Sequence, residues 1–237
     1  MATTSAPPAP TVPRRARYTT VALKWAMAIS GLLFVGFVLL HMYGNFKAFE
    51  GQESFDAYAE SLRTLGTPVL PYYGFLWIQR VVLTVALVVH VVSAVMLWRR
   101  ASKARPRAYV VKKRSAGTSY AARTMRWGGV ILLLFIIFHI LQFTTVSFEV
   151  GGSFDSEYDR LVAAFQPEAW WVYTFYFIAN LALALHVRHG VFSALQTLSI
   201  SDRRKQRLIN ILALLVALAL FIGFMTPPTA MLFGIIS

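Results

Sequence analysis

The sequence predicts an all-α integral membrane protein, a bundle of five transmembrane helices. Charged residues make up 14% of the 237 positions and hydrophobic ones 57%, with a mean hydropathy of +0.57. An ordinary soluble domain carries roughly 25% charged residues. Apolar stretches of about 18 or more residues, the length that crosses a bilayer as a helix, occur five times. Basic and acidic side chains segregate into alternate connecting segments, the charge pattern of a multi-pass protein. The chain has no cysteine. That excludes disulfides, a cysteine-ligated iron–sulfur cluster within this chain and covalent haem attachment through CxxCH. A net charge of +13 would suggest nucleic acid in a soluble protein; in a membrane protein it reports topology.

The five spans run over Trp25–Tyr43, Gly74–Trp98, Trp127–Val146, Trp170–Leu198 and Leu208–Phe233. Each is long enough to cross about 30 Å of hydrocarbon at 1.5 Å per residue. Trp25, Trp98, Trp127, Trp170 and Trp171 sit at span ends, where indole rings settle at the headgroup level. Residues 1–20, rich in proline, serine, threonine and alanine, read as a flexible tail before a membrane domain over 21–237. The tail lacks the apolar core of a cleavable signal peptide, so the first span reads as a retained helix.

Charge then sets the sidedness. The stretch up to Lys24 carries Arg14, Arg15, Arg17 and Lys24; the linker Arg99–Arg126 carries ten basic residues and Arg188–Arg207 five. Together these are 19 of the 23 Lys and Arg. The other two connections hold nine of the ten acids: Glu50, Glu53, Asp56, Glu60, Glu149, Asp155, Glu157, Asp159 and Glu168. The positive-inside rule therefore predicts a cytoplasmic N-terminus and an external C-terminus. A cytoplasmic basic linker also faces anionic lipid; docking of soluble subunits on Lys112, Lys113 and Arg114 is the second reading.

The two external connections resemble each other: Ser54-Phe55-Asp56-Ala57-Tyr58 against Ser153-Phe154-Asp155-Ser156-Glu157-Tyr158. Each follows a span with a histidine towards its external end, His41 or His139. Each precedes a span with a histidine in its cytoplasmic half, His90 or His186/His189. Spans one–two and three–four therefore read as two parallel copies of a helical hairpin, with the fifth span outside the repeat.

All five histidines fall in or at the ends of spans, where ionisable groups are costly and usually functional. One buried histidine is commonly explained by a hydrogen bond to a neighbouring helix; four on successive helices at paired depths are not. His41 and His139 form an outer level, His90 and His186 an inner one. Two imidazoles facing each other in a bundle satisfy a six-coordinate haem iron and leave no open position, which suits electron transfer. Zinc favours four ligands at one depth, and a proton path normally includes Asp or Glu inside a helix; neither is predicted here. Ser30, Gly31, Gly36, Gly128, Gly129 and Gly190 would let a flat macrocycle approach the helices, or equally mediate helix packing. Arg126 lies 13 residues before His139, about 20 Å of helix, near the cytoplasmic surface, where it could pair with haem propionates. Arg80 could serve the outer haem or a quinone. Both arginines could instead snorkel to lipid phosphates. Tyr43, Asn45, Gln79 and Arg80 are candidate quinone contacts at the external end; Trp98, Arg126 and Trp127 are the cytoplasmic alternative.

Taken together, His41-Met42-Tyr43-Gly44-Asn45, Val88-Val89-His90-Val91-Val92-Ser93, Arg126 before His139, and Leu185-His186-Val187-Arg188-His189-Gly190-Val191-Phe192-Ser193 resemble a known family. It is the single-chain, five-helix, di-haem cytochrome b subunit of succinate dehydrogenase and fumarate reductase. The resemblance covers all five spans and leaves out the proline-rich tail and much of the basic linker. It implies two b haems, with His41 and His139 holding the outer one and His90 and His186 the inner one. The resemblance selects His186, whereas the internal repeat favours His189, because Ser193-Ala194 echoes Ser93-Ala94. It also implies a flavoprotein and an iron–sulfur subunit on the cytoplasmic face, with electrons exchanged with menaquinone or another quinone. Ala184 stands where some fumarate reductases carry a glutamate implicated in transmembrane proton movement, so that property is not carried over. The chain has no GxGxxG fingerprint and is not expected to perform dicarboxylate chemistry alone. The alternatives are a cytochrome b subunit of a hydrogenase or formate dehydrogenase, a b561-like cytochrome, and a haem-free anchor or transporter.

Overall fold

The computed structural model describes residues 18–104, 116–198, 202 and 205–237. Arg14, Arg15, Arg17, Lys112, Lys113 and Arg114, with most of the sequence-assigned tail, lie outside the described residues. Among those described there is no strand, and five helices are long and apolar enough to cross a membrane. They are α1 (Thr20–Phe46), α3 (Gly74–Lys103), α4 (Ala116–His139), α6 (Trp170–Thr197) and α7 (Gln206–Leu232). The reason is the one apolar composition dictates: without water, backbone N–H and C=O groups must pair inside the helix. The large apolar side chains that remain exposed, Leu40, Leu208 and Ile222 among them, suit a lipid surround rather than water.

All five spans of the sequence reading are present, with shifted ends. Helix α1 already begins at Thr20, inside the segment assigned to the tail, because the Thr19 hydroxyl accepts the Ala22 N–H at 3.1 Å and caps it. Two further helices occupy connections that the sequence pattern presents only as loops: α2 (Gln52–Thr64) and α5 (Glu157–Ala163). Neither is an apolar run, so hydropathy does not flag them. α2 is amphipathic, and α5 is fixed by the Ser156 cap, which accepts N–H groups from Tyr158 and Asp159.

The helices alternate in direction, so α1, α4 and α7 run towards the end that carries α2 and α5. That is the acidic end, and the opposite end is basic. The six tryptophans divide between them, all exposed: Trp25, Trp98 and Trp127 at the basic end, Trp77, Trp170 and Trp171 at the acidic end. Two such belts match the two interfaces of a bilayer.

Helices α1 and α6 form the centre. α3 packs on α1, α4 packs on α6, and α1 packs on α6. The two hairpins thus use equivalent contacts, as a repeat requires. α7, outside the repeat and without a histidine, is nevertheless no peripheral helix. It lies against both α6 and α1, and Ala213 and Leu220 join Val187 and Val191 in a buried cluster flanked by Val35, Val38 and Met42. Gly223 makes this possible, since a Cβ there would run into the Met42 side chain. The four-helix arrangement is therefore braced by a fifth member that the repeat pattern alone does not place.

At the acidic end the two copies of the loop motif meet, but in different conformations. Ser54–Tyr58 lies inside α2, whereas Ser153–Asp155 precedes α5. The extra residue of the second copy, Ser156, takes the cap position. Asp56 of the first copy accepts hydrogen bonds from the Ser156 hydroxyl at 2.7 Å and the Tyr158 N–H at 3.2 Å. Arg63 pairs with Glu60 and Glu157. Arg160 donates through Nε to Glu149 at 3.0 Å and through its terminal nitrogen to the Phe154 carbonyl at 2.7 Å.

Arg160 holds the Glu149 carboxyl below the usual carboxylate range. A lowered folded-state value stabilises the fold above the unfolded value of about 4.3, and that contribution is lost as pH falls through the lowered value. Unfolding midpoints in detergent between pH 6 and 3 should therefore fall more steeply for the natural chain than for Glu149→Gln. Parallel curves would show that this ion pair adds nothing.

Candidate functional site: two histidine pairs

His41 lies in the last turns of α1, and His139 is the residue at which α4 gives way to a π turn over Ile140–Thr144. Their rings stand 5.7 Å apart, centroid to centroid, and cross at 78°. Each is backed by a phenylalanine one turn earlier on its own helix. Phe37 stacks on His41 at 5.5 Å and 11°, and Phe135 on His139 at 5.6 Å and 27°. From α7, Phe224 closes on His41 at 5.9 Å.

The second pair is built from α3 and α6: the rings of His90 and His186 are 6.1 Å apart at 55°. Both pairs join helices that are not close-packed neighbours, α1 with α4 and α3 with α6. They therefore lie on the two diagonals of the four-helix group. Gly31 and Gly129, each ten residues before the outer-level histidine of its hairpin, flank the inner pair. A Cβ on Gly31 would sit 3.2 Å from His90 Cε1, and one on Gly129 3.9 Å from His186 Cε1. Ten helical residues set the two levels about 15 Å apart.

The ring nitrogens are not treated alike. His90 Nδ1 lies 3.2 Å from the Met27 carbonyl and 3.2 Å from Ser30 Oγ. Ser30 donates its own proton to the Ala26 carbonyl at 2.7 Å, so both neighbours accept and the Nδ1 of His90 is the protonated nitrogen. His139 Nδ1 lies 3.0 Å from the Tyr176 hydroxyl, which donates to Gln142 Oε1 at 3.0 Å. His186 Nδ1 is buried without a partner, and no hydrogen bond reaches the His41 ring among the described residues. Each pair thus joins one anchored imidazole to one whose ring nitrogens have no protein partner.

The other candidates fall into three groups. Ser30, Gly31 and Gly129 belong to the inner level, and Gly128 backs onto the Ala182 carbonyl, 3.8 Å from its would-be Cβ. Gly36 and Gly190 face open space. His189 makes no ring contact with the pairs; His186 is the residue opposite His90. Arg126 lies over the Trp98 ring at 5.5 Å, joining the basic ends of α4 and α3, and Arg80 lies over Trp77 at 5.1 Å. Asn45 donates to the His41 carbonyl at 2.9 Å. Tyr43 is exposed, edge-on to Tyr58 at 6.1 Å and beneath Lys47. Gln79 is half-buried with no side-chain hydrogen bond, and no contact among the described residues joins these acidic-end residues into one set.

Sequence reasoning passed over Tyr176, Gln142 and Phe224. The signal for the first two was present: polar side chains within apolar spans, Gln142 three residues after His139 and Tyr176 ten before His186. Phe224 carried none. At the basic end a groove of about 710 Å³ opens between α1, α3 and α6, lined by Lys24, Trp25, Arg100 and Gln196 and reaching Met27, whose carbonyl holds His90. Among the described residues no three His, Asp or Glu converge; the donors come two at a time. Comparison of the chain with protein-family models, curated proteins and solved structures finds no match.

The clearance at the two glycines differs by position, which makes a direct test. Gly31→Val should cost about 1–3 kcal/mol by forcing His90 off its hydrogen bonds. Gly36→Val, which meets nothing, should stay within about 0.5 kcal/mol. Unfolding in detergent reads both, and equal costs would show that the His90 contact is not what Gly31 protects.

Proposed function

We propose that the chain is the membrane-anchor cytochrome b subunit of a succinate:quinone oxidoreductase, carrying two bis-histidine b haems. The observation that carries the reading is the pair of facing imidazoles at each of two levels. Two metal–nitrogen bonds of about 2 Å and two ring half-widths of about 1.1 Å would set such centroids roughly 6.2 Å apart. The inner separation of 6.1 Å matches that, and the outer one of 5.7 Å lies about half an ångström below it. The donor set fits as well: neutral imidazoles with no carboxylate between them and, on His90 and His139, an Nδ1 occupied elsewhere so that Nε2 is free.

In this reading His41 and His139 hold the outer haem, and His90 and His186 the inner one. Bound haem supplies a reversible one-electron couple at each level. With a histidine from each of two helices holding the group, neither site would leave a place for oxygen or a substrate, which suits relay rather than catalysis. The aromatic backing of Phe37, Phe135 and Phe224 keeps water from the outer rings. Electrons would pass between an iron–sulfur and flavoprotein pair on the basic, cytoplasmic face and menaquinone or another quinone in the bilayer. The groove beside Met27 is a candidate place at the basic end for a quinone head group. Arg80, Asn45, Tyr43 and Gln79 are the outer alternative. The chain would reside in the cytoplasmic membrane with its N-terminus inside, on the strength of its charge asymmetry.

A dithionite-reduced minus oxidised spectrum with haem stoichiometry tests this directly. Two b haems per chain are expected, one lost in His41→Ala or His139→Ala and the other in His90→Ala or His186→Ala. A flavoprotein should co-purify with the natural chain. A haem-free preparation would overturn the reading, and haem without a flavoprotein would move it to another quinone-linked cytochrome b.

The sidedness is tested separately. Alkaline phosphatase fused after Ser237 should be active and the same enzyme fused before Met1 inactive. The reverse result would invert the assignment of the basic face.

A further inference from the structure

We propose that Tyr176, with Gln142 behind it, is the positioning residue that selects which nitrogen of His139 carries the ring proton. The proposal rests on the haem reading for its redox consequence but not for its structural content. A histidine can present a lone pair from Nε2 only if its proton sits on Nδ1, and the hydrogen bond made by Nδ1 decides this.

The Tyr176 hydroxyl has one proton and stands 3.0 Å from both His139 Nδ1 and Gln142 Oε1. A carboxamide oxygen can only accept, so the phenol proton goes to Gln142, and the phenol oxygen accepts from His139 Nδ1–H. The chain of donors then leaves Nε2 of His139 unprotonated. With the carboxamide turned over, every bond would reverse: Gln142 Nε2 would donate to the phenol and the phenol to Nδ1. The ring proton would then sit on Nε2, closing that nitrogen to any metal. The orientation of one amide thus sets the chemistry of a ring two residues away in the network.

The surroundings isolate this relay. Tyr176 is 7% exposed and Gln142 1%, so water cannot stand in for a missing partner. Gln142 Nε2 has no hydrogen-bond partner, so Oε1 towards Tyr176 is its only anchoring contact. The π turn over Ile140–Thr144, which starts directly after His139, holds Gln142 and His139 against the same α6 tyrosine. Such turns are frequent at functional sites. The inner level is built differently: beside the Ser30 hydroxyl, His90 Nδ1 meets the Met27 main-chain carbonyl, an acceptor that cannot be reversed. At His139 the partner chain consists of side chains alone.

The test uses the full chain in detergent, ¹⁵N-labelled at histidine and stripped of haem, because iron held at Nε2 would itself keep the proton on Nδ1, together with a redox titration of the haem-loaded chain. In the natural chain His139 should carry its proton on Nδ1. Tyr176→Phe removes the acceptor and should weaken the preference of the outer site for the oxidised state about tenfold, an upward shift of about 59 mV for one electron. The inner midpoint should not move. Gln142→Leu should transfer the His139 proton towards Nε2, while Gln142→Glu, which restores an acceptor oxygen, should return it to Nδ1.

An unaltered His139 tautomer in Gln142→Leu, with both midpoints unmoved in Tyr176→Phe, would overturn the proposal. If the natural chain holds no haem, the functional reading fails, and the ¹⁵N signals of His139 still decide the relay. Should Tyr176→Phe not fold, the contrast between the two Gln142 variants decides alone.

Discussion

Exclusion of water is the constraint on which the rest depends. In hydrocarbon a polar group that finds no partner in the protein finds none at all. For the main chain the result is five long helices with almost nothing irregular between their ends. For side chains it is selectivity: Ser30 returns its proton to Ala26, Asn45 to the His41 carbonyl, and Thr226 to Ile222. Imidazoles are harder to satisfy, because each carries one donor and one acceptor on opposite sides of a rigid ring. The four paired histidines meet the problem by turning towards one another at two depths, and only two of them spend Nδ1 on a protein partner.

The geometry that brings them together follows from which helices touch. α1 and α6 pack directly and carry α3 and α4 on their flanks, so the pairs must form across diagonals. A diagonal gap is wider than a neighbour contact, and rings reaching into it from both helices meet each other there. Gly31 and Gly129 extend the same logic to the inner level by removing the side chain that would crowd the ring. α7 then supplies what the repeat lacks, a wall against α1 and α6 that closes on His41 with Phe224.

The acidic end is tied by a different kind of interaction. Asp56 of the first hairpin caps the helix of the second, and Arg63, Glu157, Arg160 and Glu149 lace α2, α5 and the end of α4 together. Surface ion pairs are individually weak. Their use here is registry: they hold the outer ends of two hairpins at a set spacing, and the outer histidine pair sits just beneath.

Much of this protein is determined by its sequence alone. Hydropathy sets the five spans, because helix length must match hydrocarbon thickness. Charge asymmetry groups the connections, and counting from the span ends already sorts His41 with His139 and His90 with His186, because rise per residue converts position into depth. Tertiary structure decided what depth cannot express, namely direction around the helix axis and distance across the bundle. It placed His186 rather than His189 opposite His90, put Tyr176 against His139, opened a π turn to seat Gln142, and drew α7 into the core. It also gave the same Ser-Phe-Asp string two conformations, because one copy had Ser156 and Asp56 to cap its helix and the other did not. These outcomes depend on which surfaces meet, and a periodic pattern within a single helix carries no record of its neighbour.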